Sequence, residues 1–335
     1  MRKSRSTALL LVLALCWASL PGYADDKKDD PDEIGNRKVA HRSIISQEKE
    51  VAIGKQYADQ IDHQAKILSD PVINEFVNRV SQNLARNSDL TIPLTVKVID
   101  DPSINAFTLP GGFVYVNTGV LLAADEEDQL AGVIAHEIGH AAARHWAQTM
   151  TRATLLQFAM IPMMIVPMSA AVYYGVLEAY MNGVPLAFLR FSRKDEQEAD
   201  FLGLQYMFKA GYDPNSYVGF FGKVMDEERR SPGTMSTVFA SHPPTGDRII
   251  ASEQEIQKIL PARDQYLVST SEFDDIKARL ETVISQHKKL KGDSGPTLRK
   301  RESTTDQTTT QTQPGQQKTD QGDDQPPVLK RRDSN

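Results

Sequence analysis

The stretch VIAHEIGHAAARH, residues 133–145, constrains this chain more than any other. On a helix each residue advances about 100°, so His136 and His140 project from one face, one turn apart. Glu137 sits beside them, within reach of a water on an ion that both histidines bind. The flanks Leu130, Val133, Ile134 and Ile138 are apolar, and Gly139 leaves room for backbone or substrate to come close. A core helix with two ordinary histidines is the competing reading. It leaves three ionisable groups on an apolar helix without a reason, since burial of such groups is costly unless they are paired or bind metal.

Two histidines do not complete a catalytic zinc site, which takes three protein ligands and one open position. The chain has 335 residues and one cysteine, Cys16. That cysteine lies in an N-terminal apolar run, so the third ligand is sought among His, Asp and Glu. The segment EQEAD offers Glu196, Glu198 and Asp200 on a predicted helix. Glu196 and Asp200 share a face, whereas Glu198 points away from both by roughly half a turn. A helix packed against the first could present Glu196 to the metal. Asp200, one turn on, could then hold a ligand histidine by its other ring nitrogen. A solvated acidic face remains the alternative.

MRKSRS followed by TALLLVLALCWASL and PGYA has the basic, apolar and small-residue regions of a secretory signal peptide, with cleavage expected after Ala24. An uncleaved anchor helix is the alternative. Leu15 before Cys16 argues against a lipoprotein. The mature chain would then carry neither disulfide nor thiol chemistry and rest on its core. The net charge of −6 gives no basic footprint, so nucleic acid is not an expected partner.

The rest of the chain reads as an α+β, mainly helical protein. Residues 25–45 are charged and turn-rich, a flexible leader. Apolar residues then recur at helical spacing through SQEKEVAIGKQYADQI and PVINEFVNRVSQNLARN, with Asp70 and Pro71 suited to a cap and first position. IPLTVKVID alternates as a strand, and INAFTLPGGFVYVNTGVLL reads as two more around a Pro110-Gly111-Gly112 turn. SRKDEQEADFLGLQYMFKAGYDP is a helix capped by Ser192 and stopped by Gly211. The expected divisions are a catalytic domain over 46–262, a C-terminal helical extension over 263–291 and a disordered polar tail over 292–335.

HEIGH, then EQEAD, then SHPPTGDRI, in that order, resemble the zinc metallopeptidases that include HtpX, the CAAX prenyl endopeptidases and the periplasmic BepA-like proteases, the gluzincins of family M48. NAFTLPGGFVYVNTGVL is also similar to the periplasmic branch. The resemblance covers roughly 46–260. It implies a gluzincin fold, with a small β-sheet beside the HExxH helix. It implies one zinc per chain on His136, His140 and Glu196, with Glu137 as general base and Asp200 behind the ligands. His242 and Arg248 match the family element near the transition-state oxyanion, and Asn105 and Ala106 match its cleft strand. Gly112 opens the GGFVYVNT stretch, along which an extended substrate could add as a strand. His242, on a loop, could instead hold the enzyme latent. His145 points elsewhere on the helix and reads as structural or supporting. The TPR repeats of BepA-like proteins and the four membrane helices of HtpX have no counterpart in this sequence.

The leading expectation is therefore a zinc-dependent endopeptidase for misfolded, unfolded or outer-membrane polypeptides, exported to the periplasm and acting in protein quality control. The alternative is a zinc-bearing chaperone or adaptor that cuts little. The uncharged, Met-rich residues 154–177 have three readings: a membrane span, a buried core or an apolar lid in peripheral contact with membrane or substrate. A single pass would part His140 from Glu196, which favours core or lid.

Overall fold

The helix that carries His136, Glu137 and His140 runs through the centre of the fold. The computed structural model describes residues 26–165, 191–230, 242 and 245–292. Nine α-helices and three strands lie among the described residues. They are α1 (Gln47–Gln64), α2 (Pro71–Arg86), β1 (Thr95–Ile99), β2 (Ala106–Leu109), β3 (Phe113–Asn117), α3 (Thr118–Ala123) and α4 (Glu127–Ala143). Then come α5 (His145–Ile165), α6 (Arg193–Ala210), α7 (Pro214–Arg230), α8 (Gly246–Ile259) and α9 (Ser271–Gly292). The signal peptide over 1–24 and the tail beyond 292 lie outside the described residues, as does the 166–177 part of the Met-rich stretch.

Every residue of α4 from Leu130 to Ala143 is buried, as a helix apolar on all sides must be. α2 is amphipathic and turns Ile73, Phe76, Val77, Val80 and Leu84 inward at three- and four-residue spacing. The Asp70 carboxylate accepts from the Val72 and Ile73 amides, with Pro71 in the first turn. α6 opens on a capping box between Ser192 and Asp195 and stops at Gly211, whose φ is +96°. α9 joins the same core through Phe273, Ile276 and Leu280, and Phe273 stacks on Phe76 at 5.9 Å.

The strand order is β1-β3-β2, with β1 parallel and β2 antiparallel to β3. This small sheet beside a helical body is the α+β architecture expected, and β2 forms an edge. Two local expectations are corrected. Residues 118–123, read as the end of a strand, form α3, and its Gly119 meets the Pro102 and Ser103 carbonyls so closely that a Cβ would clash at 2.3 Å. The GGFVYVNT stretch that Gly112 opens, expected to offer an edge to substrate, forms the central strand β3, paired on both sides, and Gly112 itself lies in the turn after β2 at φ +83°. A Cβ there would fall 2.6 Å from the Pro93 carbonyl oxygen.

The leader also departs from expectation. Between Lys28 and Ile45 it straps the body down. Arg37 is fully buried, its Nε 2.9 Å from Asp89 Oδ2 and its Nη1 2.5 Å from Gln205 Oε1. Asp89 also accepts from the Gly35 amide and the Tyr206 hydroxyl. A composition rich in charge reads as loose chain. A partner 52 residues away, invisible to local pattern, makes one of those charges a buried anchor.

Candidate metal centre

Close packing of α4 on α6 creates the site. Gly139 faces the Ala199 backbone, where a Cβ would sit 2.8 Å from the carbonyl oxygen, and Gly203 faces the backbone of His136. The room expected at Gly139 is taken by backbone. This approach brings Glu196 to the two histidines. His136 Nε2 and His140 Nε2 are 3.1 Å apart. Glu196 Oε2 is 3.5 Å from the first, and Oε1 is 3.6 Å from the second. All three side chains are buried.

That triangle can be tested against a metal. Atoms about 2.0–2.1 Å from a tetrahedral ion of zinc's kind stand about 3.3–3.4 Å apart. The three separations straddle that value, and two imidazoles with one carboxylate are a donor set for a divalent first-row metal. Glu137 adds a second mark. Its Oε2 is buried and has no hydrogen-bond partner among the described residues. An unmet buried acceptor costs about 1–3 kcal/mol, so the site is built for an additional group. The residues present therefore fit a metal.

Around the triangle each expected residue has a definite place. Asp200 Oδ1 lies 3.0 Å from His136 Nδ1. Arg248, opening the first turns of α8, grips Asp200 with Nε at 2.7 Å and Nη2 at 2.6 Å, and its Nη1 is 3.0 Å from Glu196 Oε2. Arg248 thus differs from the expected oxyanion donor: in this structure it clamps the ligand carboxylate and Asp200. His242 Nδ1 is 2.8 Å from Glu196 Oε1, and its Nε2 is 3.8 Å from Glu137 Oε1. A ligand atom of His242 falls within 4.8 Å of those of His136, His140 and Glu196. Asn105 precedes β2 and Ala106 opens it. Two residues on, the Thr108 hydroxyl donates to the Glu137 carbonyl at 3.0 Å, tying the edge strand to α4.

Two groups, Tyr217 and Phe191, escaped the sequence reading, and His145, read there as structural or supporting, joins them at the site. The Tyr217 hydroxyl donates to Asp200 and lies 3.1 Å from His136 Nδ1. Phe191 stacks on His140 with ring centroids 4.2 Å apart. His145 Nδ1 lies 2.8 Å from His140 Nδ1. Glu198, pointing away from the metal as expected, receives His145 on its far side.

The electrostatics follow from this packing. Burial pushes His136 down, but hydrogen bonds to Asp200 and Glu196 outweigh it and raise its pKa to about 9. Burial, reinforced by the charges of His136, His242 and His145, drives His140 well below its usual value. Burial pushes Asp200 up, yet Arg248 and His136 hold it at about 2. Burial likewise opposes Glu196, and the His136 and His242 hydrogen bonds keep it far below the carboxylate range. The carboxylates stay charged at neutral pH, as ligands and their supports must.

Comparison with known proteins agrees. The profile described as Peptidase family M48 matches residues 71–256. The chain is 30% identical over 263 residues to a Vibrio cholerae relative assigned as a beta-barrel assembly-enhancing protease, covering 77% of this chain and 54% of that one. It is 27% identical over 283 residues to the beta-barrel assembly-enhancing protease of Escherichia coli K12, 83% of this chain and 56% of the other. It is 38% identical over 152 residues to the mitochondrial metalloendopeptidase OMA1 of Arabidopsis thaliana, 44% of this chain and 30% of that one. The chain spans about half the length of the two bacterial relatives. With the profile spanning more than half of its residues and both HEIGH histidines converging on Glu196, the chain belongs to peptidase family M48.

Proposed function

We propose that this protein is a zinc-dependent metalloendopeptidase that cuts misfolded or envelope polypeptides outside the cytoplasm. The observation that carries the reading is the triangle of His136, His140 and Glu196 donor atoms beside a buried oxygen of Glu137 that has no partner among the described residues. His136, His140 and Glu196 would hold the zinc. When bound, it would acidify a water and polarise the scissile carbonyl. Glu137 takes the proton from the attacking water and returns it to the leaving amine. His242 donates to the oxyanion. Arg248 and Asp200 keep Glu196 and His136 in place. β2 is an edge strand with no further strand paired to it among the described residues, which suits an extended substrate whose main chain would pair near Asn105 and Ala106.

Several features support the setting. The N-terminal 24 residues have the pattern of an export signal, and relatives named for beta-barrel assembly suggest outer-membrane proteins as substrates. No helix among the described residues is long and apolar enough to cross a membrane. Leu155, Leu156 and Phe158 on α5 are exposed, which favours an apolar contact of this helix with membrane or unfolded chain over a fully buried one.

Glu137→Gln tests the reading. It should lose about 100-fold or more of casein cleavage while zinc content, measured by atomic absorption, stays at one per chain. Wild-type protein that holds zinc yet cuts no unfolded polypeptide would overturn it in favour of a chaperone or adaptor. One observation also favours a second reading for His242: its ligand atom lies among the other three, so it can close the open metal position and hold the enzyme latent. His242→Ala separates the two. An oxyanion role predicts a loss of about 100-fold, and a latch predicts a gain.

A further inference from the structure

His145 lies five residues beyond His140. On an unbroken helix their side chains would diverge by about 140°. They meet because α4 ends at Arg144, a non-glycine residue in the left-handed region at φ 58°. Such a conformation is strained for a side chain with a Cβ and must be held by its surroundings. Here Arg144 Nε is 2.7 Å from Glu50 Oε2, and its Nη2 donates to the Ile45 carbonyl at 2.8 Å. The break starts α5 in a new direction and folds the His145 ring back onto His140.

The resulting contacts form a directed chain. His140 turns Nε2 toward His136 and Glu196, so Nε2 must carry the lone pair if it binds metal. Its proton then sits on Nδ1 and is donated to His145 Nδ1, 2.8 Å away. That nitrogen must accept, so the His145 proton sits on Nε2, which points at Glu198 Oε2 at 3.3 Å. Glu198 also meets His41 Nε2 at 2.6 Å and Lys28 Nζ at 3.2 Å, both from the leader strap. We propose that His145 and Glu198 are positioning residues that fix the tautomer and ring orientation of His140 as a metal ligand, with His41 and Lys28 anchoring the far end. This rests on the metal reading of the triangle above.

A second metal on His41, His145 and Glu198 is the rival, since their donor atoms also cluster. The geometry disfavours it. The His41–Glu198 separation of 2.6 Å is a hydrogen-bond length, well short of the roughly 3.3 Å between two ligands of one zinc. The Lys28 ammonium occupies the same carboxylate.

The test measures zinc affinity of the full chain by competition with a chelator, in His145→Phe, Glu198→Gln and the double variant. Nitrogen-15 NMR of the wild-type imidazoles reads the tautomers directly. Expected are a proton on Nδ1 of His140 and on Nε2 of His145, a 10–100-fold weaker zinc affinity in each single variant, and a double variant no worse than His145→Phe. His145→Asn, which restores an acceptor, should recover part of the loss. Wild-type affinity in folded single variants, additive losses, the opposite tautomers, or a fall from two zinc ions to one on Glu198→Gln would each overturn the proposal. If His145→Phe does not fold, Glu198→Gln and the wild-type tautomers still decide. A wild-type chain that binds no zinc fails the metal reading itself, a different result from binding that the variants leave unchanged.

Discussion

His136 meets its carboxylate directly, with Asp200 Oδ1 3.0 Å from Nδ1, whereas His140 reaches Glu198 only through a second imidazole. Both carboxylates lie on α6, two residues apart, and face different histidines. The shorter support is locked by Arg248 and Tyr217 from α8 and α7. The longer one is locked by His41 and Lys28 from the leader. One ligand is therefore referred to the C-terminal half of the fold and the other to its N-terminal strap. What this teaches is that two ligands one helical turn apart answer to different parts of the chain.

The largest effect should come from cutting the shorter support. Asp200→Ala removes the buried carboxylate that both Arg248 and His136 face, and should cost about 3–5 kcal/mol in urea unfolding as well as metal affinity. Next, Arg37→Met should cost about 3 kcal/mol, because Asp89 stays buried with only the Gly35 and Tyr206 donors. By loosening the strap it should also disturb the His140 and His145 ring signals while leaving those of His136 in place. Disturbance of all three rings would break the comparison. Acid sharpens it further. Asp200 is lowered from 3.8 to about 2, so its contribution is present above pH 4 and lost as pH falls toward 2. Metal-free Asp200→Asn should therefore flatten the stability profile over that window by about 2 kcal/mol, read by thermal unfolding at each pH. The smallest change is Tyr217→Phe, which removes one hydroxyl and should cost about 1 kcal/mol, with only a few-fold weaker metal binding.

Spacing in the sequence was enough to put His136, Glu137 and His140 on one helix and Glu196 with Asp200 on another. Caps at Ser192 and Asp70 and the stop at Gly211 are local chemistry, and local chemistry is readable. The roles of His145 and Arg248 were harder to read. The left-handed turn at Arg144 is held by Glu50 and Ile45 from distant chain, so a helical wheel drawn through it sends His145 the wrong way. Arg248 stands in a motif, but its targets appear only once α8 lies across α6. Tyr217 and Arg37 carry no pattern at all, since a single buried polar side chain is specified by its partner and not by its neighbours in sequence.

The strap has a consequence for how the protein comes to hold its ion. His41 and Glu198 are separated by 157 residues, and Arg37 and Gln205 by 168. A chain made from its N-terminus therefore carries the strap for most of its length before α6 exists to receive it, and such long closures come late in folding. Metal retention then reports that the strap has found its place. A bulky tag fused just ahead of Lys28 should be felt at His140, whereas the same tag placed after α9 should not.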